Sequence, residues 1–286
     1  MIKQPGVLDW ALQEWTEKGA GPLATGVTGT AFLSYSSVPQ DRQDTLESRI
    51  LKLIDSHPTL ANTGQAKQLE MQKKLLLNEK EADIQYNFGP IGVNPAAGDN
   101  VADFFNHDDP GGYAGIVTVL THSFSRGSIH SNNSDPSVHP IIDPQNMSHP
   151  IDLEIMTDGL LFTQKISEAA PLASLLKTNE VGDGKKIQPA FKVPGRLTKD
   201  DAVRIVREAS VTSFHPVGTC SMGLREEGGV VDSRLRVHGV EGLRVCDSSV
   251  VPLNVRGNIA SAVYAVAERG SDLILGDRMG KEGPNS

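Results

Sequence analysis

The stretch that decides the fold reads SFHPVGTCSMG at residues 213–223. It places His215 directly before Pro216 and three residues before Gly218. Proline biases the preceding residue toward an extended backbone, and glycine lets the chain approach a ligand closely. His215 is therefore a candidate catalytic base, because an unperturbed histidine has a pKa of about 6.5, near working pH. From the residues alone, a buried histidine bonded to a carbonyl is the competing interpretation.

Downstream of this stretch, the sequence reads LRVHGVEGLRVCD at residues 235–247, where LRVC is typical of a buried strand. Asp247 ends that segment, and its competing interpretation is a turn aspartate bonded to its own backbone. A long helical pattern begins at Ile259. Asn258 precedes it and suits a helix N-cap, but its amide could also donate a hydrogen bond to an alcohol or alkoxide oxygen.

Length and composition exclude several classes of protein. The chain has 286 residues, enough for one large or two modest domains. Its net charge of −8 and the lack of a long basic run argue against nucleic acid or an anionic membrane as partners. The two cysteines suit neither a zinc site nor a disulfide framework, and no metal site is predicted. No apolar signal or membrane segment is visible, which predicts a cytoplasmic location.

Periodicity predicts an α+β fold, with a mostly antiparallel sheet covered by helices. Helices are predicted at 7–18, Asp44–Ile54, Gln65–Glu81, Asp152–Leu172, from a capping box at Thr198, and from Ile259. Strands are predicted at Thr30–Ser34, Gly115–Thr121 and Gly127–Ser131. The segment Ile84–Asp109 is rich in Gly, Pro, Asn and Asp, and we expect it to be a loop, either a lid or a region ordered by a partner.

A dinucleotide-binding turn is not evident. The one formal G-x-G-x-x-G/A match is GAGPLA at residues 19–24. A helix is predicted before it and a Gly/Thr loop after it, whereas the fingerprint needs a strand before and a helix after. The sequence therefore predicts that this chain lacks a dinucleotide-binding unit of its own.

Several short segments, taken together and in order, resemble the C-terminal part of the glucose–methanol–choline (GMC) family of flavin-dependent alcohol oxidases and dehydrogenases. They are GPL at 21–23, SRGSI at 125–129, PIIDP at 140–144, HPVGTC at 215–220 and LRVCDSS at 243–249. The resemblance implies a substrate-binding region at 1–198. It also implies a catalytic segment at 199–286 whose elements pack on a flavin domain. The family's N-terminal FAD-binding half has no counterpart here.

The same resemblance implies an FAD-dependent oxidoreductase that moves a hydride from a primary or secondary alcohol to flavin, in a pathway such as specialised-metabolite biosynthesis. His215 corresponds to the family's catalytic base, and Asn258 to its second active-site position. Cofactor contacts are implied at Asp247, Ser248, Gly257, Asn258 and Ile259.

The implied partners are a small-molecule alcohol and either a separate flavin-binding chain or further copies of this one. Two alternatives stay open: a flavin-free acid–base enzyme on the same scaffold, acting as an isomerase or lyase, and a non-catalytic remnant or interaction module. The second of these would use an exposed flavin-facing surface to bind a partner.

Overall fold

Eight helices and five strands form in the part of the chain that the computed structural model describes, which is residues 6–24, 29–38, 45–55, 63–94, 97, 100–104, 113–176 and 196–280. The helices are α1 (Val7–Lys18), α2 (Leu46–Asp55), α3 (Thr63–Leu76), α4 (Val101–Phe104), α5 (Pro150–Glu168), α6 (Leu172–Leu175), α7 (Lys199–Ala209) and α8 (Ala260–Arg278). The strands are β1 (Gly29–Leu33), β2 (Ile84–Gly89), β3 (Gly115–Leu120), β4 (Ser128–His130) and β5 (Ile141–Asp143).

The main sheet has the order β1-β2-β3, and both of its strand pairs are antiparallel. In this register Gln85 of β2 lies between Phe32 of β1 and Val119 of β3. Strands β4 and β5 form a separate antiparallel pair. The predicted α+β class with a mostly antiparallel sheet is confirmed.

The prediction that Ile84–Asp109 is a loop was wrong for Ile84–Gly89, which is the central strand of the sheet, and for Val101–Phe104, which is α4. Residues 95–96, 98–99 and 105–109 lie outside the described residues. Apolar Ile84, Tyr86 and Phe88 alternate in the strand with polar Gln85 and Asn87. This alternation is the period of a strand. The Gly, Pro and Asn residues that follow obscured it.

Helix α5 covers one face of the main sheet and closes the larger core. Gly159 permits the close approach, since a Cβ there would lie 3.0 Å from Cγ2 of Thr118. The Tyr86 hydroxyl donates to the Gly159 carbonyl at 3.2 Å, which joins the sheet to the helix backbone. The fully or almost fully buried side chains of this core are Tyr35, Val38, Ile50, Ile54, Leu76, Ile84, Tyr86, Phe124, Ile151 and Ile155.

Asp152, in the first turn of α5, organises the chain just after β3. Its buried carboxylate accepts hydrogen bonds from the Ser123 hydroxyl (2.7 Å), the Phe124 amide (2.8 Å) and the Ser125 amide (2.7 Å). Each of these donors comes from one of three consecutive residues, so a single side chain satisfies the polar groups of this turn. The turn that leads from the large sheet toward β4 is therefore fixed to α5.

The C-terminal part has its own small core of Val231, Leu235, Val250 and Leu273. The capping box predicted at Thr198 is confirmed, because Thr198 and Asp201 exchange side-chain to backbone hydrogen bonds at the start of α7. The expected strand at 243–246 does not form as a regular element. Arg244 makes an isolated antiparallel bridge to Arg236 instead.

Helix boundaries also shift. The third helix ends at Leu76 rather than at Glu81, since Asn78–Glu81 turns back to begin β2. The long helix runs over Pro150–Glu168, and Leu172–Leu175 is a separate turn after Pro171.

Candidate active site

His215 lies in the loop that follows α7, and it is half-buried. Phe214 before it adopts a left-handed φ of 61°, and its amide donates to the Thr212 hydroxyl oxygen at 3.0 Å. The Asn254 side chain donates to the His215 carbonyl at 3.2 Å. A non-glycine residue with positive φ is uncommon, so the backbone around the imidazole is held in a specific turn by its neighbours.

Asn258 faces His215 directly. The amide nitrogen of Asn258 lies 2.8 Å from Nε2 of His215. An amide nitrogen only donates, so Nε2 of His215 is the acceptor and the neutral ring carries its proton on Nδ1. The structure therefore brings together the two residues to which catalytic roles were assigned.

The interpretation of Asn258 as a helix cap was wrong. Helix α8 begins at Ala260 with Ile259 at the N-cap position, and no side chain caps it. The Asn258 side chain instead bonds His215 and Gln85. The first-turn amides of α8 consequently keep their capacity to donate to a ligand.

Gln85 is a site residue that sequence reasoning missed. It is 4% exposed, and its Nε2 donates to the Asn258 amide oxygen at 3.4 Å and to the Asn87 amide oxygen at 2.8 Å. The Thr30 hydroxyl also donates to that Asn87 oxygen, at 3.1 Å. Because the Asn258 oxygen is engaged by Gln85, its NH₂ group is the part turned to His215. The signal for this residue was the alternation of polar and apolar residues along β2.

Asp247 caps the turn Ser248–Val250 and Ser248 begins it, next to the segment that follows His215. Asp247 accepts a hydrogen bond from the Ser249 amide at 2.8 Å. This is the local backbone contact that the turn interpretation of Asp247 predicted. The Cys220 amide donates to the Ser249 carbonyl at 3.0 Å. The structure therefore positions this turn beside the histidine loop, and the cofactor role of Asp247 and Ser248 stays a prediction.

Gly257 and Ile259 flank Asn258 on the chain. Gly257 has a φ of 81°, and a Cβ there would lie 3.3 Å from two ring carbons of Phe32. A side chain at this position would be strained and would push on Phe32. Ile259 is 7% exposed and anchors the start of α8. Glycine at 257 thus lets the Asn258 loop rest directly on the sheet.

The charged groups beside the site are paired. Arg256 lies 3.3 Å from Glu81 in an ion pair that ties the Asn258 loop to the start of β2. Burial lowers the pKa of the nearby His122, and the charge of Arg256 lowers it further while Glu81 opposes the change. His122 is therefore a neutral structural residue, bonded through Nδ1 to the Thr121 hydroxyl at 3.1 Å.

The residues present suit the reactive end of a flavin better than its adenosine end. Neutral donors, positive-φ glycines and an uncapped helix start converge beside His215. The formal fingerprint at 19–24 does not fit, because Gly19 ends α1 and Pro22–Ala24 is a single 3₁₀ turn. Within the described ranges, no group of three or more His, Cys, Asp or Glu side chains could hold a metal ion. The helices of these ranges are all too short or too polar to cross a membrane.

Comparison with known proteins gives the family. A family model described as GMC oxidoreductase matches residues 123–267. The dehydrogenase mpl7 of Monascus purpureus is 31% identical over 287 residues, which cover 97% of this chain and 44% of that protein. The oxygen-dependent choline dehydrogenase of Pseudomonas entomophila (strain L48) is 32% identical over 197 residues, which cover 69% of this chain and 32% of that protein.

A solved structure of an FAD-dependent oxidoreductase from Chaetomium thermophilum matches with a TM-score of 0.73 at 19% identity, and covers 97% of this chain and 44% of that one. This likeness shows the fold. The chain spans less than half the length of the relatives named here. Since the family model matches half of its residues, the chain belongs to the GMC oxidoreductase family.

Proposed function

We propose that this chain supplies the substrate-facing and catalytic part of an FAD-dependent alcohol oxidoreductase. One observation carries the proposal: the Asn258 amide and Nε2 of His215 converge at 2.8 Å. An alcohol oxygen that enters between the two groups and replaces their mutual hydrogen bond can give its proton to Nε2 and accept a hydrogen bond from the amide. FAD, when bound, supplies the hydride acceptor.

Several features of the site support these roles. Nε2 of His215 is the unprotonated nitrogen in this pair, and a general base must have such a nitrogen. The Asn258 amide, which donates to Nε2, is itself oriented by its hydrogen bond from Gln85. The amide can stabilise negative charge that develops on the alcohol oxygen, since a neutral donor beside it costs little to desolvate. We propose that Asp247, Ser248, Gly257 and Ile259 hold the part of the flavin near this pair. The name of the choline dehydrogenase relative supports an alcohol as substrate class.

The adenosine half of the cofactor needs a dinucleotide-binding unit, which we propose is a separate flavin-binding chain or a further part of a longer protein. The assignment of residues 1–198 to substrate binding and of residues 199–286 to catalysis and flavin contact is part of the same proposal.

The test is visible absorbance of the chain combined with its dinucleotide-binding unit, either as a longer protein or as a mixture with a separate flavin-binding chain, before and after incubation with FAD and removal of excess cofactor. We expect stoichiometric flavin bands that bleach when an alcohol is added under anaerobic conditions. His215→Ala should slow bleaching by about 10²–10⁴-fold, the usual contribution of a positioned base. The matched control is His130→Ala, since His130 is exposed on β4.

Other outcomes separate the alternatives. Bleaching that proceeds unchanged in His215→Ala would refute the assigned base. Conversion of a substrate without flavin, abolished by His215→Ala, would favour the flavin-free acid–base enzyme. Failure to take up FAD and to convert substrate even with the dinucleotide-binding unit present would favour an interaction module.

A further inference from the structure

The sheet face that points away from α5 is part of the candidate active site. In the observed register, alternate residues of the three strands share this face, which we call the site face; they are Thr30, Phe32, Gln85, Asn87, Val117 and Val119. Gln85 bonds Asn258 from this face, and the Phe32 ring rests on Gly257. The site face therefore looks toward the His215–Asn258 pair.

This face remains open to a ligand, whereas the opposite one is closed by α5. Phe32 is 46% exposed, and Val117 and Val119 are only half-buried. On the other face, Ile84 and Tyr86 of the central strand are fully buried, whereas Thr118 and Leu120 of β3 are half-buried like the two valines. A substrate that reaches His215 can therefore pack against this open face.

The chemistry of the site face is neutral. None of its six side chains ionises near neutral pH, and the nearby Arg256 and Glu81 neutralise each other. A charged substrate body would lose hydration here without gaining a charged partner from the site face itself. Phe32 offers an aromatic surface at one edge, and Val117 and Val119 offer an aliphatic surface at the other.

Asn87 is one of the three polar residues of the site face, beside Gln85 and Thr30. Its oxygen accepts from both Gln85 and Thr30, so the side chain is held in one orientation. Its amide nitrogen has no hydrogen bond within the described part of the chain. This nitrogen can donate to a neutral acceptor, such as an ether or carbonyl oxygen, on a bound molecule.

We propose that the site face selects uncharged alcohols with an aromatic body over alcohols that carry a cationic or anionic group. The aromatic body packs on Phe32 and along the valines, and an acceptor group on it meets the Asn87 amide. This inference rests on the proposed function, since it places the hydroxyl of the same molecule at His215.

The experiment measures binding of three probes to the purified full chain by ligand-observed NMR titration. The probes are 4-methoxybenzyl alcohol, 4-(hydroxymethyl)benzoate and choline, which are neutral, anionic and cationic. We expect the neutral alcohol to bind at least about tenfold more tightly than either charged probe. Equal or tighter binding of a charged probe, or no binding of the neutral alcohol, would overturn the inference.

Variants locate the binding. Phe32→Ala should weaken binding of 4-methoxybenzyl alcohol by about tenfold, as expected for a lost aromatic contact, and Phe32→Leu by less. The control is Ile142→Ala, another exposed apolar residue, on β5. A Phe32→Ala chain that keeps its circular dichroism spectrum and binds like the control contradicts the proposal.

Asn87→Asp keeps the shape and the accepting oxygen but adds a negative charge. It should lower the preference for the neutral alcohol over choline, and an unchanged preference would count against the site face. If choline bleaches bound flavin in a His215-dependent way while the aryl alcohol does not bind, the proposed function survives and this inference fails. If no alcohol bleaches flavin yet the binding preferences hold, the proposed function fails and the binding preference of the site face survives.

Discussion

Nε2 of His215 accepts a hydrogen bond from the Asn258 amide nitrogen at 2.8 Å, across 43 residues of sequence. The donor therefore dictates which imidazole nitrogen is unprotonated. This relationship does not depend on a bound cofactor, and it can be tested on the chain by itself.

Asn258→Asp should invert this arrangement, because a carboxylate accepts and would require a proton on Nε2. We expect long-range ¹⁵N–¹H spectra of the wild-type chain above neutral pH to show an unprotonated Nε2 in His215, and the variant to show a protonated one. His130 serves as the internal control in both spectra. A protonated Nε2 in the wild-type chain would contradict the assignment.

Gln85→Leu should release the Asn258 amide while preserving side-chain volume. We predict a mixture of His215 tautomers and a loss of stability of roughly 1–2 kcal/mol, since the amide oxygens of Asn87 and Asn258 each lose the donor that Gln85 supplies. The matched control is Gln72→Leu, because Gln72 is 3% exposed and donates to the Ser123 carbonyl at 2.7 Å. That control should also be destabilised, but its His215 signals should not move. Identical signals in the two variants would show that Gln85 has no part in orienting the pair.

Asp152→Ala should be strongly destabilising. The buried carboxylate accepts from Ser123, Phe124 and Ser125, and its removal leaves these donors unsatisfied. We expect a loss of roughly 3 kcal/mol or more in the free energy of unfolding, measured with urea. Asp152→Asn, which keeps an accepting oxygen, should lose less. Asp135→Ala is the exposed control and should change little; a similar loss in both alanine variants would refute the role of burial.

Asp83 gives the fold a pH dependence. Burial raises the pKa of this carboxyl to about 7, although the hydrogen bond from the Tyr35 amide opposes the shift. A raised carboxyl pKa means that the folded state holds the proton more tightly than the unfolded state. The contribution of Asp83 to stability is therefore complete below about pH 4 and is lost as the pH rises toward 7.

Asp83→Asn should remove this dependence, because an amide resembles the protonated acid. Relative to wild type, the variant should gain stability between pH 5 and pH 8 in urea titrations. His122, with its lowered pKa, acts in the opposite direction and is present in both chains, so the difference between them isolates Asp83. Parallel pH profiles for the two chains would contradict the raised pKa.

Local patterns predicted most of the helices and three of the strands, since amphipathic periodicity and a capping box depend only on residues that are close together in the sequence. The boundaries of α3 and α5 moved because turn formation around Asn78 and Pro171 depends on what the chain packs against next. The expected strand at 243–246 failed for a related reason: its neighbours provide one bridge rather than a ladder.

Residue types and family resemblance identified His215 and Asn258, but not what holds them. Gln85 lies 173 residues before Asn258 in the chain, and their contact depends on the strand register and on the path of the Asn258 loop. Neither is readable from a single sequence. The polar face of β2 was a usable signal that the following Gly- and Pro-rich residues concealed.

Helix α8 connects this site to a remote contact. Gly270 is buried against the Cys246 side chain, and a Cβ at this position would overlap the sulfur. Ten residues of helix separate it from Ala260, a span of about 15 Å. A methyl group added at Gly270 would have to displace either the Cys246 side chain or the helix, and a displaced helix would carry its first residue with it. The contact between Gly270 and the Cys246 thiol thus helps to fix the position of the start of α8, beside the Asn258 amide.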